Sequence, residues 1–193
     1  MIRNDYSRFS ARSAALLLAF VLAVHAAGAT TFARMSLEQM SRSAALVVRA
    51  RCLSNSTGWD AGEIWTFTSF AIEETWMGTA PDHIVVRLLG GRAGNVTSSV
   101  TGIPRFRIGE DVVLFLERTP RGDFSVTSWQ QGTFRLRRDI RTGEEMATQD
   151  TASFPVFDGA AHQFVTCGIR NLPLDLLRAR VSIAVHAVTE RPR

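Results

Sequence analysis

The stretch 43–54, SAALVVRARCLS, constrains this chain more than any other. Leu46, Val48, Ala50 and Cys52 alternate with Val47, Arg49, Arg51 and Leu53. A period of two with both arginines on one face is the signature of a strand buried on one side and wetted on the other. The packing positions carry β-branched or small residues, which suit a pleated surface. We read it as the first and central strand of a small closed sheet, whose inner filling begins at Leu46 to Cys52.

The residues that follow supply further strands. Residues 55–62 (NSTGWDAG) carry turn chemistry. Residues 63–76 (EIWTFTSFAIEETW) read as a long strand with Thr66, Thr68, Phe70 and Ile72 on one face. Trp65, Phe67, Ser69 and Ala71 take the other, and aromatics on both faces predict a bend or bulge of the kind that closes a sheet. The third strand, 83–89 (HIVVRLL), stops at Gly90-Gly91. Residues 92–110, broken by glycine and proline, are expected to cross the sheet as a loop with one helical turn. The apolar run 111–118 (DVVLFLER) reads as a well-buried fourth strand. A turn at 119–123 precedes a fifth strand at 124–129, then an extension at 133–137 (TFRLR). Residues 139–158 are polar and are expected to form an exposed, mobile loop. Two helices flank the strands: 36–43, with Ser36 as N-cap, and 173–181, with Pro173 early and arginines late. Five strands with short flanking helices define a mainly β, five-stranded OB-like closed barrel.

The N-terminus gives the expected address. Arg3, Arg8 and Arg12 lead into an uncharged run, 13–24 (SAALLLAFVLAV), and then Ala27-Gly28-Ala29 ahead of Thr30. That is the order of a secretory signal peptide, with cleavage expected after Ala29, or alternatively after Ala26. The apolar core is short of the roughly 20 residues of a membrane span. A secreted or periplasmic protein with no membrane span after cleavage is therefore expected. All 22 basic residues are arginine, which stays charged far above the lysine range and inflates the pI. Removing three arginines and Asp5 with residues 1–29 takes the net charge from +4 to +2, weak grounds for a polyanion ligand. Cys52 and Cys167 could close a disulfide in an oxidising compartment, worth about 4–5 kcal/mol across so long a loop. Two separate buried thiols are the alternative.

Few residues carry chemistry. No nucleophile elbow, HExxH or phosphate loop occurs, and His83, His162 and His186 have no zinc-site spacing with the cysteines. Glu73-Glu74 and Glu144-Glu145 are sequence neighbours: on a strand they face opposite ways, and in a loop they are solvated. Arg135, Arg137, Arg138 and Arg141 form the basic cluster, with Arg105 and Arg107 as further ligand-facing candidates. With Trp59, Trp65, Trp76 and Trp129 they have the composition of a single-stranded nucleic acid surface. A solvated edge strand and core tryptophans explain them more simply, and export removes most nucleic acid partners. No catalytic residue, metal or cofactor is expected.

The runs 43–54, 67–78 (FTSFAIEETWMG), 83–89 and 109–118 resemble the barrel of tissue inhibitors of metalloproteinases and of netrin-like modules. SLEQMSRSAALVVRARCLS, GIPRFRIGEDVVLFLER and WQQGTFRLRRD are also similar to a group of exported bacterial proteins of unassigned activity. The resemblance covers 35–139 and implies the OB-like barrel there; from the residues themselves, a loop-rich extension is expected at 140–172 and a C-terminal helix packed on the barrel at 173–187. Those inhibitors chelate a zinc ion through a mature N-terminal cysteine. This chain would begin at Thr30, with Cys52 inside a strand, so that device does not carry over. The sequence thus leads to an exported, non-enzymatic binding module for another extracytoplasmic protein, a protease among the candidates. The alternative is an envelope glycan- or polyanion-binding module. Fold analogy alone carries the protease idea.

Overall fold

A computed structural model of the chain describes residues 33–153, 155–166 and 168–189. The expected signal peptide at 1–29 lies outside them. The protein is mainly β. Helix α1 (Leu37–Ser43) opens with a capping box in which Ser36 and Gln39 satisfy each other's backbone N–H groups. Strands β1 (Leu46–Asp60), β2 (Glu63–Met77) and β3 (His83–Leu89) follow as an antiparallel meander. A small hairpin, β4 (Gly91–Ala93) and β5 (Val96–Ser98), precedes β6 (Asp111–Arg118) and β7 (Phe124–Val126). After a 3-10 turn at Trp129–Gly132 come β8 (Thr133–Arg138) and β9 (Glu145–Gln149). A second hairpin, β10 (Pro155–Asp158) with β11 (Gln163–Thr166), leads to β12 (Leu172–Pro173) and α2 (Leu174–Thr189).

The pairings run β1–β2–β3–β7–β6, and β6 returns to β1, so these five strands form a ring. β8, β9 and β12 continue the sheet outward from β6. Alternation sorts the side chains into two cores. Leu46, Val48, Ala50 and Cys52 of β1 meet Phe70, Val86, Val112, Leu114 and Val126 inside the ring. On the opposite faces, Val47, Val113 and Phe115 pack with Phe134, Met40 of α1, and Leu174, Leu177 and Val181 of α2. The unbroken apolar run of β6 is thereby explained: it is buried on both sides. Arg49 and Arg51 share the outer face with Val47. There a chain of ion pairs links Asp111, Arg51, Glu73, Arg49 and Glu145 at 2.8–3.1 Å. The β1–β2 register shifts three times, between Val47 and Val48, Arg49 and Ala50, and Cys52 and Ser54, which is the bulging that the two-faced aromatics of β2 predict.

Several boundaries differ from the sequence reading. Residues 55–60 extend β1 instead of turning, because Asn55 and Thr57 have cross-strand partners in Thr68 and Thr66. The turn shrinks to Ala61-Gly62, both at positive φ (51° and 84°), as a two-residue hairpin requires. The expected loop at 92–110 contains the β4–β5 hairpin. The fifth strand ends at Val126, since Ser128 and Trp129 adopt positive φ (49° and 56°) and start the 3-10 turn. The expected exposed loop at 139–158 contains β9, which pairs with β8 and buries Ala147. Its two apolar residues, Met146 and Ala147, are adjacent and do not alternate, so the strand had no legible periodicity. The last helix runs to Thr189, beyond the 173–181 read from its caps.

A candidate binding cleft at one end of the ring

Polar side chains occupy the inner face of the ring beyond Cys52 and Phe70. Asn55 and Thr57 of β1 face Thr68 and Thr66 of β2, and Thr66 and Thr68 are buried. Thr68 donates to Asn55 Oδ1 at 2.7 Å, and Asn55 Nδ2 donates to the Phe106 carbonyl at 3.0 Å. Thr66 donates to the Gly90 carbonyl at 2.7 Å, and Thr57 to the Arg92 carbonyl. Arg105 reaches in from the segment before β6, its Nη1 donating to Thr66 Oγ1 at 2.9 Å and to the Gly90 carbonyl at 3.2 Å. Below this layer Phe70 and Phe106 meet edge to face at 5.0 Å and close the apolar core.

These groups line a cleft of about 260 Å³ with Leu88, Gly91 and Arg92. Glycine is required at its rim. Gly91 has φ +146°, and a Cβ there would lie 2.6 Å from Thr66 Oγ1 and 2.8 Å from Thr57 Cγ2. Beyond Thr57 on the same face of β1 stands Trp59, 58% exposed. The cleft volume falls just below the roughly 300 Å³ typical of small-molecule sites, so it accepts one functional group of a larger ligand.

The sequence candidates separate. Arg105 lines the cleft, while Arg107 is exposed, its backbone N–H donating to Glu110. Arg135 turns inward between Glu110 and Asp150, with a further hydrogen bond to the Arg105 carbonyl at 2.9 Å. With a second bond to Asp150, from Nη2 at 2.7 Å, four of its five donors are spent inside the protein. Burial alone would lower its pKa, but hydrogen bonds to Asp150 and Glu110 prevail and raise it. Arg137 and Arg138 are exposed at the far end of β8, and Arg138 borders a separate depression with Glu144, Glu145 and Asp175. The five arginines therefore do not form one patch.

Trp65 is stacked beneath Arg87, whose guanidinium carbon is 3.9 Å from the ring centroid. Trp76 packs on the outer core and Trp129 on the inner one. Cys52 has no disulfide partner among the described residues and is 1% exposed, and burial pushes its pKa up. Cys167, and with it the proposed bridge, lies outside the described residues. Among the described residues no group of three or more His, Cys, Asp or Glu could hold a metal ion, and no helix is long and apolar enough to cross a membrane.

Sequence reasoning missed Asn55, Thr57, Thr66, Thr68 and Arg92. Thr66 and Thr68 carried a usable signal, as polar residues on the apolar phase of β2; Asn55 and Thr57, within a segment of turn chemistry, and Arg92 carried none. No protein-family model matches the chain, and no curated protein matches it.

Proposed function

We propose that the protein is an exported, non-enzymatic binding module that recognises another extracytoplasmic protein, with the ring acting as an OB-like barrel and the cleft at its end as the contact site. The observation that supports this reading is the juxtaposition of an exposed tryptophan, Trp59, with a concave site whose charged side chains, Arg92 and Arg105, are all arginines. Tryptophan and arginine are the residues that dominate binding energy at protein interfaces. The export reading rests on the leader-like N-terminus. Its direct check is N-terminal sequencing of the mature protein, which should begin at Thr30 or Ala27. The binding reading is tested by immobilising mature protein and passing over it the extracytoplasmic fraction of its own cell. A specific protein retained by the wild type and lost with Trp59→Ala is the expected result. Retention of polysaccharide alone would replace this reading with that of a glycan-binding module.

A further inference from the structure

Most arginines whose contacts define the fold face carboxylates: Arg49, Arg51, Arg87, Arg121, Arg135 and Arg178 each have one or more acidic partners. The two at the cleft do not. Arg92 gives only Nε, to the Gly94 carbonyl at 3.3 Å, and Arg105 gives only Nη1. Both terminal nitrogens of Arg92, and Nε and Nη2 of Arg105, have no partner among the described residues. No aspartate or glutamate lines the cleft, whereas the depression beside Arg118 and Arg121 holds Glu63 and Glu117. Two unopposed guanidinium groups over a floor of Leu88 and Phe106 make a site for an anion, since a partly desolvated wall strengthens the attraction.

The hydroxyl and amide groups decide what bears that anion. Thr57, Thr66, Thr68 and Asn55 all make internal hydrogen bonds. A sugar ring would need several such groups free, while a carboxylate needs only the guanidinium donors. Trp59 adds an exposed apolar surface alongside. Resting on the binding-module reading above, we infer that the cleft takes an aspartate or glutamate side chain of an acidic segment of the partner protein, between Arg92 and Arg105, with the neighbouring residue against Trp59.

The test uses the mature protein and fluorescein-labelled poly-L-glutamate at low ionic strength, read by anisotropy. Polygalacturonate and poly-L-glutamine serve as competitors. Poly-L-glutamate should bind, its affinity should fall with salt, and Arg92→Ala and Arg105→Ala should each weaken it about tenfold, the scale of one charge-assisted contact. Arg137→Ala should leave it unchanged. Arg105 also braces Thr66, so the exposed Arg92→Ala and Trp59→Ala decide the matter if Arg105→Ala lowers stability. Unweakened binding to Arg92→Ala overturns the inference. So does competition by polygalacturonate at equal charge as strong as that of poly-L-glutamate. A natural partner captured through Trp59 but indifferent to Arg92→Ala would overturn the acidic segment and leave the binding module standing.

Discussion

Arg135 and Arg137 sit two residues apart on one strand and belong to different worlds. Arg135, with a side chain only 22% exposed, ties β8 to Glu110 before β6 and to Asp150 after β9. Truncating it leaves two half-buried carboxylates facing each other's charge with no cation between them. Arg135→Ala should therefore destabilise the fold by about 1.5–3 kcal/mol, measured by urea denaturation. Arg135→Lys should recover only part of this, because one ammonium cannot reproduce a planar fork shared among three acceptors. Arg137→Ala, at an exposed position, should stay within about 0.5 kcal/mol of wild type. Equal losses for the two alanine variants would show that the inward arginine is not holding the strands.

At the scale of elements, the far end of the β1–β2 hairpin is pinned by one carboxylate. Asp60, the last residue of β1, pairs with Arg87 of β3 and with Arg121 in the β6–β7 turn. The hydrogen bond from Arg121, then that from Arg87, holds its pKa below the usual carboxylate value. A depressed folded-state pKa contributes stability above the unfolded value of about 3.9 and loses it as pH falls through the folded one. Wild type should therefore lose stability below about pH 4 more steeply than Asp60→Asn, followed by melting temperature across that range. Parallel curves would remove Asp60 from the acid response. Gly91→Ala probes the neighbouring rim: the contacts under 3 Å and φ of +146° should destabilise by about 1–3 kcal/mol and lower any affinity that depends on the cleft. These elements were only partly legible. Leu46–Cys52 declared its inner face because four apolar or small residues alternate with arginines. The β1 extension did not, since Asn55 and Thr57 on its cleft face are polar and exposed, and the hydrogen bonds that hold them, with Thr68 and with the Phe106 and Arg92 carbonyls, are encoded by no local pattern.

The whole molecule carries the same lesson. Two cores share the strands β1 and β6, one inside the ring and one beneath the helices. From sequence, the nearly continuous apolar run of β6 read as a well-buried strand. It could not say which residues cover the second side, because α2 is more than fifty positions away along the chain and reaches the sheet only through tertiary packing. That sharing makes a prediction about cooperativity. Phe70, fully buried inside the ring, should cost about 3–5 kcal/mol on truncation to alanine, and Leu177, fully buried under α2, about 2–5 kcal/mol. Were the helix layer an appendage, Leu177→Ala would release α2 first, and helical circular dichroism would fall at lower urea than tryptophan fluorescence. Because Val47 and Phe115 lie on strands whose alternate residues fill the ring, loosening one core should loosen the other. Both variants should then unfold in one transition with coincident spectroscopic curves, shifted to lower urea without loss of slope. A separate early helical transition in Leu177→Ala would show the two cores to be independent.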